Sequence, residues 1–172
     1  MLLHRAYERI QRSWAQSSAE LSGSRAFWDR SAAGVSLRRD LLSAVGRYAR
    51  GRALDAGAGT LCCRYLLKPH VAEYRSLDLK QTHPELDYVG DVQAMPVPDA
   101  SFDTILCVQV LEHVPDPERA LRDMHRVLRK EGRVIFSVPH LGYLHNEPLD
   151  FYRYTKYGIH ALLERAGFRV LE

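Results

Sequence analysis

A carboxylate and two glycines lie together early in the chain, in residues 52–60 (RALDAGAGT). The apolar pair before Asp55 predicts a buried strand, and Gly57 and Gly59 predict a tight turn into a helix. Such a turn gathers backbone N–H groups and a helix N-terminus, and glycines let a ligand approach without obstruction by a Cβ atom. The segment indicates a nucleotide-type site at the carboxyl end of a central strand, although an ordinary strand-to-helix turn also uses glycines.

Three later apolar runs also end in polar residues. Asp78 and Asp91 each close one run, and residues 102–110 lead directly to Glu112 and His113. An acid about twenty residues after the glycines, as Asp78 is, can accept hydrogen bonds from ribose hydroxyls. Because the carboxyl ends of parallel strands meet at one edge of a sheet, these residues are predicted to line one crevice.

The elements that position these residues alternate between strands and amphipathic helices. This alternation predicts a doubly wound, Rossmann-like α/β fold with a mostly parallel sheet. Asp116 followed by Pro117 predicts a helix start, with an acceptor at the N-cap and proline at the first helical position. The predicted helices are 2–20, 37–49, a short helix at 65–67 that Pro69 ends, 117–132 and 155–167. The strands predicted after the crevice residues are 133–138 and 168–171.

The composition of the chain argues against several classes of protein. The 172 residues predict one domain, and the net charge of +3 comes from scattered basic residues, which does not favour nucleic acid as a partner. Cys62, Cys63 and Cys107 favour neither a disulfide framework nor a zinc site, so no metal site is predicted. With reduced thiols, no signal peptide and no apolar run of about 18 residues, a cytoplasmic protein that makes no membrane contact is expected.

Four motifs together resemble the class I S-adenosylmethionine-dependent methyltransferases, in particular a small-molecule, methyltransferase type 11-like subgroup. The resemblance covers residues 37–172, and HNEPLDFYRYT at residues 145–155 is similar to a segment of some bacterial members. The motifs are LDAGAG at 54–59, SLDL at 76–79, GDVQAMPVPDASFDTILCVQVLEHVPDP at 90–117 and LRKEGRVIFSVP at 128–139.

The resemblance implies S-adenosylmethionine as methyl donor and S-adenosylhomocysteine as product. It implies that Asp55 is directed at the donor's ammonium, that Asp78 binds the ribose hydroxyls and that Asp91 accepts from the adenine amino group. The remaining implied donor-binding residues are Ala56, Gly57 and Gly59 along the methionine part, Leu79 and Val92 on the adenine ring, and Gln109 at the amino acid end.

The resemblance also implies a small-molecule acceptor beyond the donor. Methyl transfer needs positioning and, where the acceptor is protonated, a base. His113 is the first candidate for that base and His140 and His145 follow it, although each histidine could instead brace a loop. The candidate acceptor-binding residues are Tyr143, Tyr152 and Arg153, and Arg153 could also simply pair with Asp150.

The sequence departs from the family pattern in two places. The third glycine that is common in the family falls at Leu61, and Cys62 breaks the GxGxxG pattern of nicotinamide enzymes. The final, antiparallel strand of the resembled fold is missing. An unpaired sheet edge is a template for association, so a homodimer through that edge is expected.

The resemblance divides the chain into an N-terminal helical cap, residues 1–35, and a methyltransferase domain that is short at its C-terminus, residues 36–172. In the cap, Trp14, Phe27 and Trp28 could roof a pocket or serve as packing anchors. The main alternative function is a non-catalytic module that binds S-adenosylmethionine or a nucleotide. A nicotinamide-dependent oxidoreductase is a third possibility, disfavoured by Asp55 and by the missing third glycine.

Overall fold

The computed structural model describes residues 32–142 and 144–172. Helices and strands alternate along the chain except over residues 73–108, where three strands follow one another. Short 3₁₀ helices at Lys68–His70 and Leu111–His113 follow α2 and β4. In chain order the main elements are α1 (Ala32–Tyr48), β1 (Arg52–Ala56), α2 (Arg64–Leu67), β2 (Glu73–Asp78), β3 (Tyr88–Val89), β4 (Phe102–Val108), α3 (Pro117–Val127), β5 (Leu128–Ser137) and α4 (Lys156–Arg165).

The five strands form one sheet in the order β3-β2-β1-β4-β5, and every neighbouring pair is parallel. The chain therefore winds from β1 outward through β2 to β3 on one side, and through β4 to β5 on the other. In open sheets of this kind, the crevice at the carboxyl ends of the strands, where the winding reverses, is the usual ligand site. The predicted doubly wound α/β fold is confirmed.

Alternate residues of the central strands point to opposite faces of the sheet, and each face carries its own helices. Leu54 and Ile105 belong to a core cluster with the buried residues of α3 and α4. Ala53 and Leu106 belong to a second cluster with residues of α1 and α2. Because a parallel sheet is covered on both faces, β1 is buried along most of its length, and its carboxyl end is held firmly in the middle of the molecule.

Two of the predicted helix starts are confirmed by their capping hydrogen bonds. The Asp116 carboxylate accepts from the backbone N–H of Arg119 (3.0 Å), with Pro117 in the first turn. The Thr155 hydroxyl accepts from the backbone N–H of Gly158 (3.0 Å) at the start of α4. Both caps satisfy a helix-terminal donor that otherwise has no partner within the helix.

Two predicted helix boundaries are wrong. Helix α1 begins at Ala32 rather than at residue 37. Helix α3 ends at Val127 rather than Gly132, because Leu128 already pairs with Phe102 of β4, and sheet pairing replaces the helical hydrogen bonds there. A bulge in β5 accommodates the residues between this pair and the next, Thr104 with Arg133.

The predicted strand at 168–171 is also wrong. A strand requires a neighbouring backbone, and within the described part of the chain these residues join no sheet. Side chains hold them instead: the Phe168 ring contacts His125 edge to face, and Glu172 pairs with Arg47 of α1 (2.7 Å). Strand β5 is thus an edge strand among the described residues, and the homodimer through that edge stays a prediction.

Parts of two predictions lie outside the described residues. The predicted N-terminal cap lies outside them over residues 1–31, which include Trp14, Phe27 and Trp28. The candidate acceptor-binding residue Tyr143 also lies outside the described residues. Where the chain is described, it contains no helix with the length and apolar character that crossing a membrane requires.

Candidate functional site

The turn after β1 is built on glycines with left-handed backbone. Gly57 has a φ of 81° and Gly59 a φ of 52°. A Cβ on Gly57 would lie 2.3 Å from Val110 Cγ2, so this glycine lets the turn pack against the end of β4. A Cβ on Gly59 would meet nothing within 4 Å. The turn is therefore closed against the protein at Gly57 and open at Gly59, where a ligand can approach the backbone.

Leu61 occupies the position of the expected third glycine and also has a positive φ, 62°. Its side chain is buried. A left-handed conformation costs a non-glycine residue about 1–2 kcal/mol, so the burial of the leucine side chain must offset this strain. Leu61 therefore has the left-handed backbone that a glycine would readily adopt at this position.

Asp78, at the carboxyl end of β2, contacts this turn directly. Its Oδ2 accepts a hydrogen bond from the backbone N–H of Gly59 (2.8 Å). The next residue, Leu79, leaves 56% of its surface exposed. A carboxylate and an exposed apolar side chain, side by side at a strand end, match the two needs of a nucleoside: an acceptor for the ribose and an apolar surface for the base.

Asp91 reaches the same edge of the sheet through β3. The backbone N–H of Gly90 donates to the Asp78 carbonyl (2.9 Å), which ties the two strand ends together. The Asp91 carboxylate accepts from the backbone N–H of Gln93 (2.8 Å) and from its side-chain amide. Val92, between them, is buried in the core. The structure thus brings Asp78 and Asp91 to neighbouring strand ends, as predicted.

Asp55 is almost completely buried at the end of β1. The Tyr74 hydroxyl donates to its Oδ2 (3.0 Å). Burial raises the pKa of Asp55 to about 7; the Tyr74 hydrogen bond opposes this rise and the nearby Asp78 charge adds to it. Ala56, the next residue, is fully buried in the core. A bound cation, such as an ammonium, would therefore stabilise the ionised form of Asp55 and lower its pKa.

Gln109 follows β4 with a positive φ of 54°. Its backbone N–H donates to the Ser137 carbonyl (3.0 Å), and its side-chain amide donates to the Ser137 hydroxyl (3.2 Å). The end of β4 is in this way fixed to the end of β5. The sequence predicted a ligand-binding role for Gln109 but not this partner.

Glu112 is a functional candidate that the sequence analysis left without a role. Its side chain is fully buried, and neither carboxylate oxygen has a hydrogen-bond partner within the described residues. Burial raises the pKa of Glu112 to about 7; its own backbone and the Arg153 charge oppose this rise, and the Asp150 charge adds to it. The only sequence signal was its place directly after a buried strand.

The segment 145–155 covers the turn that carries Glu112. The Glu112 carbonyl accepts from the backbone N–H groups of Phe151 (2.8 Å) and Tyr152 (3.3 Å). The imidazole Nδ1 of His113 lies 2.6 Å from the Leu149 carbonyl oxygen. These bonds hold residues that are more than thirty positions apart in the sequence against one another.

His113 and His145 lie side by side, and His140 has a different environment. The rings of His113 and His145 are 4.7 Å apart between centroids and nearly perpendicular. Burial of its ring lowers the pKa of His113. His140 instead has its Nδ1 2.9 Å from the Tyr154 carbonyl oxygen. Of the three predicted catalytic histidines, the structure brings two together.

Arg153 forms a two-pronged ion pair with Asp150, at 2.6 and 2.8 Å. The Asp150 side chain is buried, and the hydrogen bonds from Arg153 lower its pKa to about 2. The hydroxyl of Tyr152 donates to the Pro115 carbonyl (2.9 Å). Tyr152 and Arg153, the two candidate acceptor-binding residues that the structure describes, thus also hold the segment 145–155 in place.

Part of the chain is similar in sequence to known methyltransferases. Residues 54–136, which run from β1 to β5, match the family model described as a methyltransferase domain. The demethylmenaquinone methyltransferase of Renibacterium salmoninarum is 32% identical over 117 residues, 61% of this chain and 49% of that protein. The ubiquinone/menaquinone biosynthesis C-methyltransferase UbiE of Pseudoalteromonas translucida is 40% identical over 74 residues, 41% of this chain and 29% of that protein.

The chain thus spans half or less of the length of these curated relatives. Among solved structures, the S-adenosylmethionine-dependent methyltransferase of Mesorhizobium loti superposes with a TM-score of 0.62 at 22% identity, over 84% of each chain. At that identity the likeness is one of fold. The sequence relatives and the structural neighbour agree with the resemblance carried by the four motifs.

Proposed function

From the chain's membership of the class I S-adenosylmethionine-dependent methyltransferases, we propose that it transfers a methyl group from S-adenosylmethionine to a small-molecule acceptor. One observation carries the proposal. Gly59, Asp78 and Asp91 lie at the carboxyl ends of three neighbouring parallel strands, and the space beside Gly59 is open. This arrangement offers backbone, carboxylate and apolar surface to one extended ligand.

In this proposal, each part of S-adenosylmethionine contacts its own group on the donor side of the crevice. Asp78 accepts from the ribose hydroxyls, Asp91 accepts from the adenine amino group, and Leu79 covers the adenine ring. Asp55 stabilises the ammonium, and the backbone of Gly57 and Gly59 lines the methionine part, which Gln109 holds at its other end. When bound, S-adenosylmethionine supplies a methyl group activated by its sulfonium.

The acceptor side is formed by the turn after β4 and by the segment 145–155. His113, His145 and Tyr152 lie there, and His113 is the first candidate for a base because its Nδ1 is held by the Leu149 carbonyl. A carbonyl oxygen only accepts, so Nδ1 carries the hydrogen and Nε2 keeps the lone pair. His140 and Arg153 complete the set of candidate residues on this side, with Tyr143 from the sequence analysis.

One observation favours a second candidate, a module that binds S-adenosylmethionine without transferring its methyl group. Leu61 fills the place of the third glycine, so the turn offers less open backbone to a ligand than the family pattern predicts. Such a module would bind the donor and leave every acceptor unchanged. Methyl transfer, measured directly, separates the two candidates.

The test is a transfer assay with methyl-labelled S-adenosylmethionine and a panel of small acceptors. The panel includes demethylmenaquinone, the acceptor in the name of the Renibacterium relative. Label in one acceptor together with S-adenosylhomocysteine, both lost in Asp78→Asn and kept in the exposed surface variant Asp40→Asn, supports the proposal. Donor binding without transfer to any acceptor supports the binding module instead.

A further inference from the structure

Three side chains that commonly bind metals meet where the segment 145–155 crosses the turn after β4. Glu112, His113 and His145 each offer one ligand atom, and these three atoms all lie within 4.8 Å of one another. The Nε2 atom of His113 is 3.9 Å from Oε1 of Glu112. Two imidazoles and one carboxylate form the donor set of several zinc enzymes and of non-haem iron sites.

Glu112 gives an independent reason to expect a cation. Its side chain has no exposed surface, and both of its oxygens lack a hydrogen-bond partner within the described residues. A buried carboxylate without a partner is strongly unfavourable, and proteins normally pair such groups or coordinate them to a metal.

The neighbours of His113 orient it as a metal ligand is usually oriented, and His145 is held close to it. The Leu149 carbonyl holds Nδ1–H of His113 and leaves Nε2 with its lone pair. Oδ2 of Asp150 lies 3.4 Å from Nδ1 of His145 and also accepts from the His145 backbone N–H (2.8 Å). A carbonyl behind the imidazole, as at His113, is a common outer shell of a zinc site. At His145, Nη2 of Arg153 also lies 3.4 Å from Nδ1.

We propose that Glu112, His113 and His145 bind a divalent transition-metal ion, for which Zn²⁺ is the natural probe. Ligand atoms around a tetrahedral zinc ion are roughly 3.4 Å apart, so the three groups need to close by about an ångström, which side-chain rotation allows. The ion neutralises the Glu112 carboxylate and links the turn after β4 to the segment 145–155. Three protein ligands leave a fourth position for water or for another ligand.

Metal binding and a base role for His113 exclude each other, since both use the lone pair of Nε2. The ion would then supply what the base supplies, because an acceptor oxygen on its fourth position loses its proton more easily. The inference goes beyond the methyl-transfer function and can be tested without a methyl donor. Its failure would leave His113 as the candidate base.

The experiment is a calorimetric titration of the tag-free, chelator-treated chain with Zn²⁺, repeated with Co²⁺ and followed by visible absorption. The ligand variants are Glu112→Gln, which keeps the shape and removes the charge, and His145→Ala. The matched control is His160→Ala, which removes a surface histidine that lies 3.5 Å from Glu164. Cys62→Ser controls for the neighbouring thiols, whose sulfur atoms are 3.9 Å apart.

The proposal predicts binding of one equivalent of Zn²⁺, weakened at least about tenfold in both ligand variants and unchanged in both controls. The Co²⁺ spectrum should lack the charge-transfer band of a thiolate ligand. No binding by the folded wild-type chain would overturn the proposal. So would retention of affinity in either ligand variant, or loss of affinity in Cys62→Ser.

Discussion

The carboxylate of Asp78 accepts a hydrogen bond from the backbone N–H of Gly59, with 2.8 Å between Oδ2 and the nitrogen. This bond joins the end of β2 to the turn after β1, across the centre of the crevice. The backbone N–H groups of Gly57 and Ala58 both donate to the Leu77 carbonyl beside it (2.8 and 3.0 Å). The glycine turn is therefore held in place before any ligand binds, as a site that binds without reorganisation requires.

The two glycines of the turn should respond differently to alanine. Gly57→Ala forces a Cβ to within 2.3 Å of Val110 Cγ2 and also a left-handed alanine, so the free energy of unfolding should fall by about 3 kcal/mol. Gly59→Ala meets no atom within 4 Å and should cost only about 1 kcal/mol. Urea unfolding measures both values. Equal losses of stability would contradict the described packing of Gly57.

Gly59→Ala should also weaken donor binding, although it is the milder change to the fold. Its Cβ enters the open space beside the turn, where the proposal places the methionine part. Calorimetry with S-adenosylhomocysteine checks this outcome on the folded variant. Unchanged affinity would mean that the ligand does not approach Gly59.

Leu79→Ser should weaken S-adenosylhomocysteine binding while leaving the free energy of unfolding almost unchanged. The side chain is 56% exposed, so its replacement should change the free energy of unfolding by less than about 0.5 kcal/mol. Loss of the apolar surface over the adenine should weaken S-adenosylhomocysteine binding by about tenfold. Leu42→Ser, at a partly exposed site on α1, is the matched control and should leave affinity unchanged. Equal affinity of wild type and Leu79→Ser would remove Leu79 from the donor site.

Asp55 should make the stability of the free protein depend on pH. The pKa of this carboxyl rises from 3.8 in the unfolded chain to about 7 in the folded protein because it is buried. Between these values the folded state holds a proton that the unfolded state has released. The free energy of unfolding should therefore fall as pH rises from 4 to 7 and level off above, by as much as about 4 kcal/mol for roughly three pKa units.

Asp55→Asn removes the part of this dependence that Asp55 contributes, because the amide does not ionise and its oxygen can still accept from Tyr74. The part contributed by the raised pKa of Glu112 remains in both proteins. The variant should be more stable than wild type at pH 8 and should bind the donor more weakly, since the charge opposite the ammonium is lost. Urea unfolding of both proteins across this pH range isolates the contribution of Asp55. Parallel curves would contradict the raised pKa.

Arg153→Met should lower stability whether or not Arg153 contacts an acceptor. The substitution leaves the buried Asp150 carboxylate without its two-pronged partner, which should cost about 2 kcal/mol or more. Arg39→Met breaks an exposed pair with Asp40 and should change stability by less than about 0.5 kcal/mol. Thermal unfolding of the two variants makes the comparison. Equal stabilities would leave acceptor binding as the role of Arg153.

The positions of the proposed donor-binding residues could largely be predicted from the sequence, because they depend on local order. An acid or glycine at the end of an apolar run lies at a strand end, wherever the strand sits in the sheet. Asp78 and Asp91 follow this rule, and the caps Asp116 and Thr155 follow a similar local rule. These predictions need only the alternation of strands and helices.

The proposed acceptor side depends on packing between distant segments, which no spacing in the sequence reports. The approach of His145 to His113 and the burial of Glu112 arise because residues 145–155 fold back over the end of β4. The end of α3 was mispredicted for a related reason: pairing of Leu128 with Phe102 replaced the helix there. The predicted strand at 168–171 failed because, among the described residues, none pairs with it.

The crevice is proposed to bind S-adenosylmethionine through Asp78, and calorimetric titration of wild type and Asp78→Asn tests this binding. The asparagine oxygen can still accept from Gly59, so the fold should be kept while the charged acceptor for the ribose is lost. We predict micromolar binding, about −8 kcal/mol, that weakens at least about tenfold in Asp78→Asn and is unchanged in Asp40→Asn. No binding by the folded wild-type chain, or equal affinity in Asp78→Asn, would contradict the account.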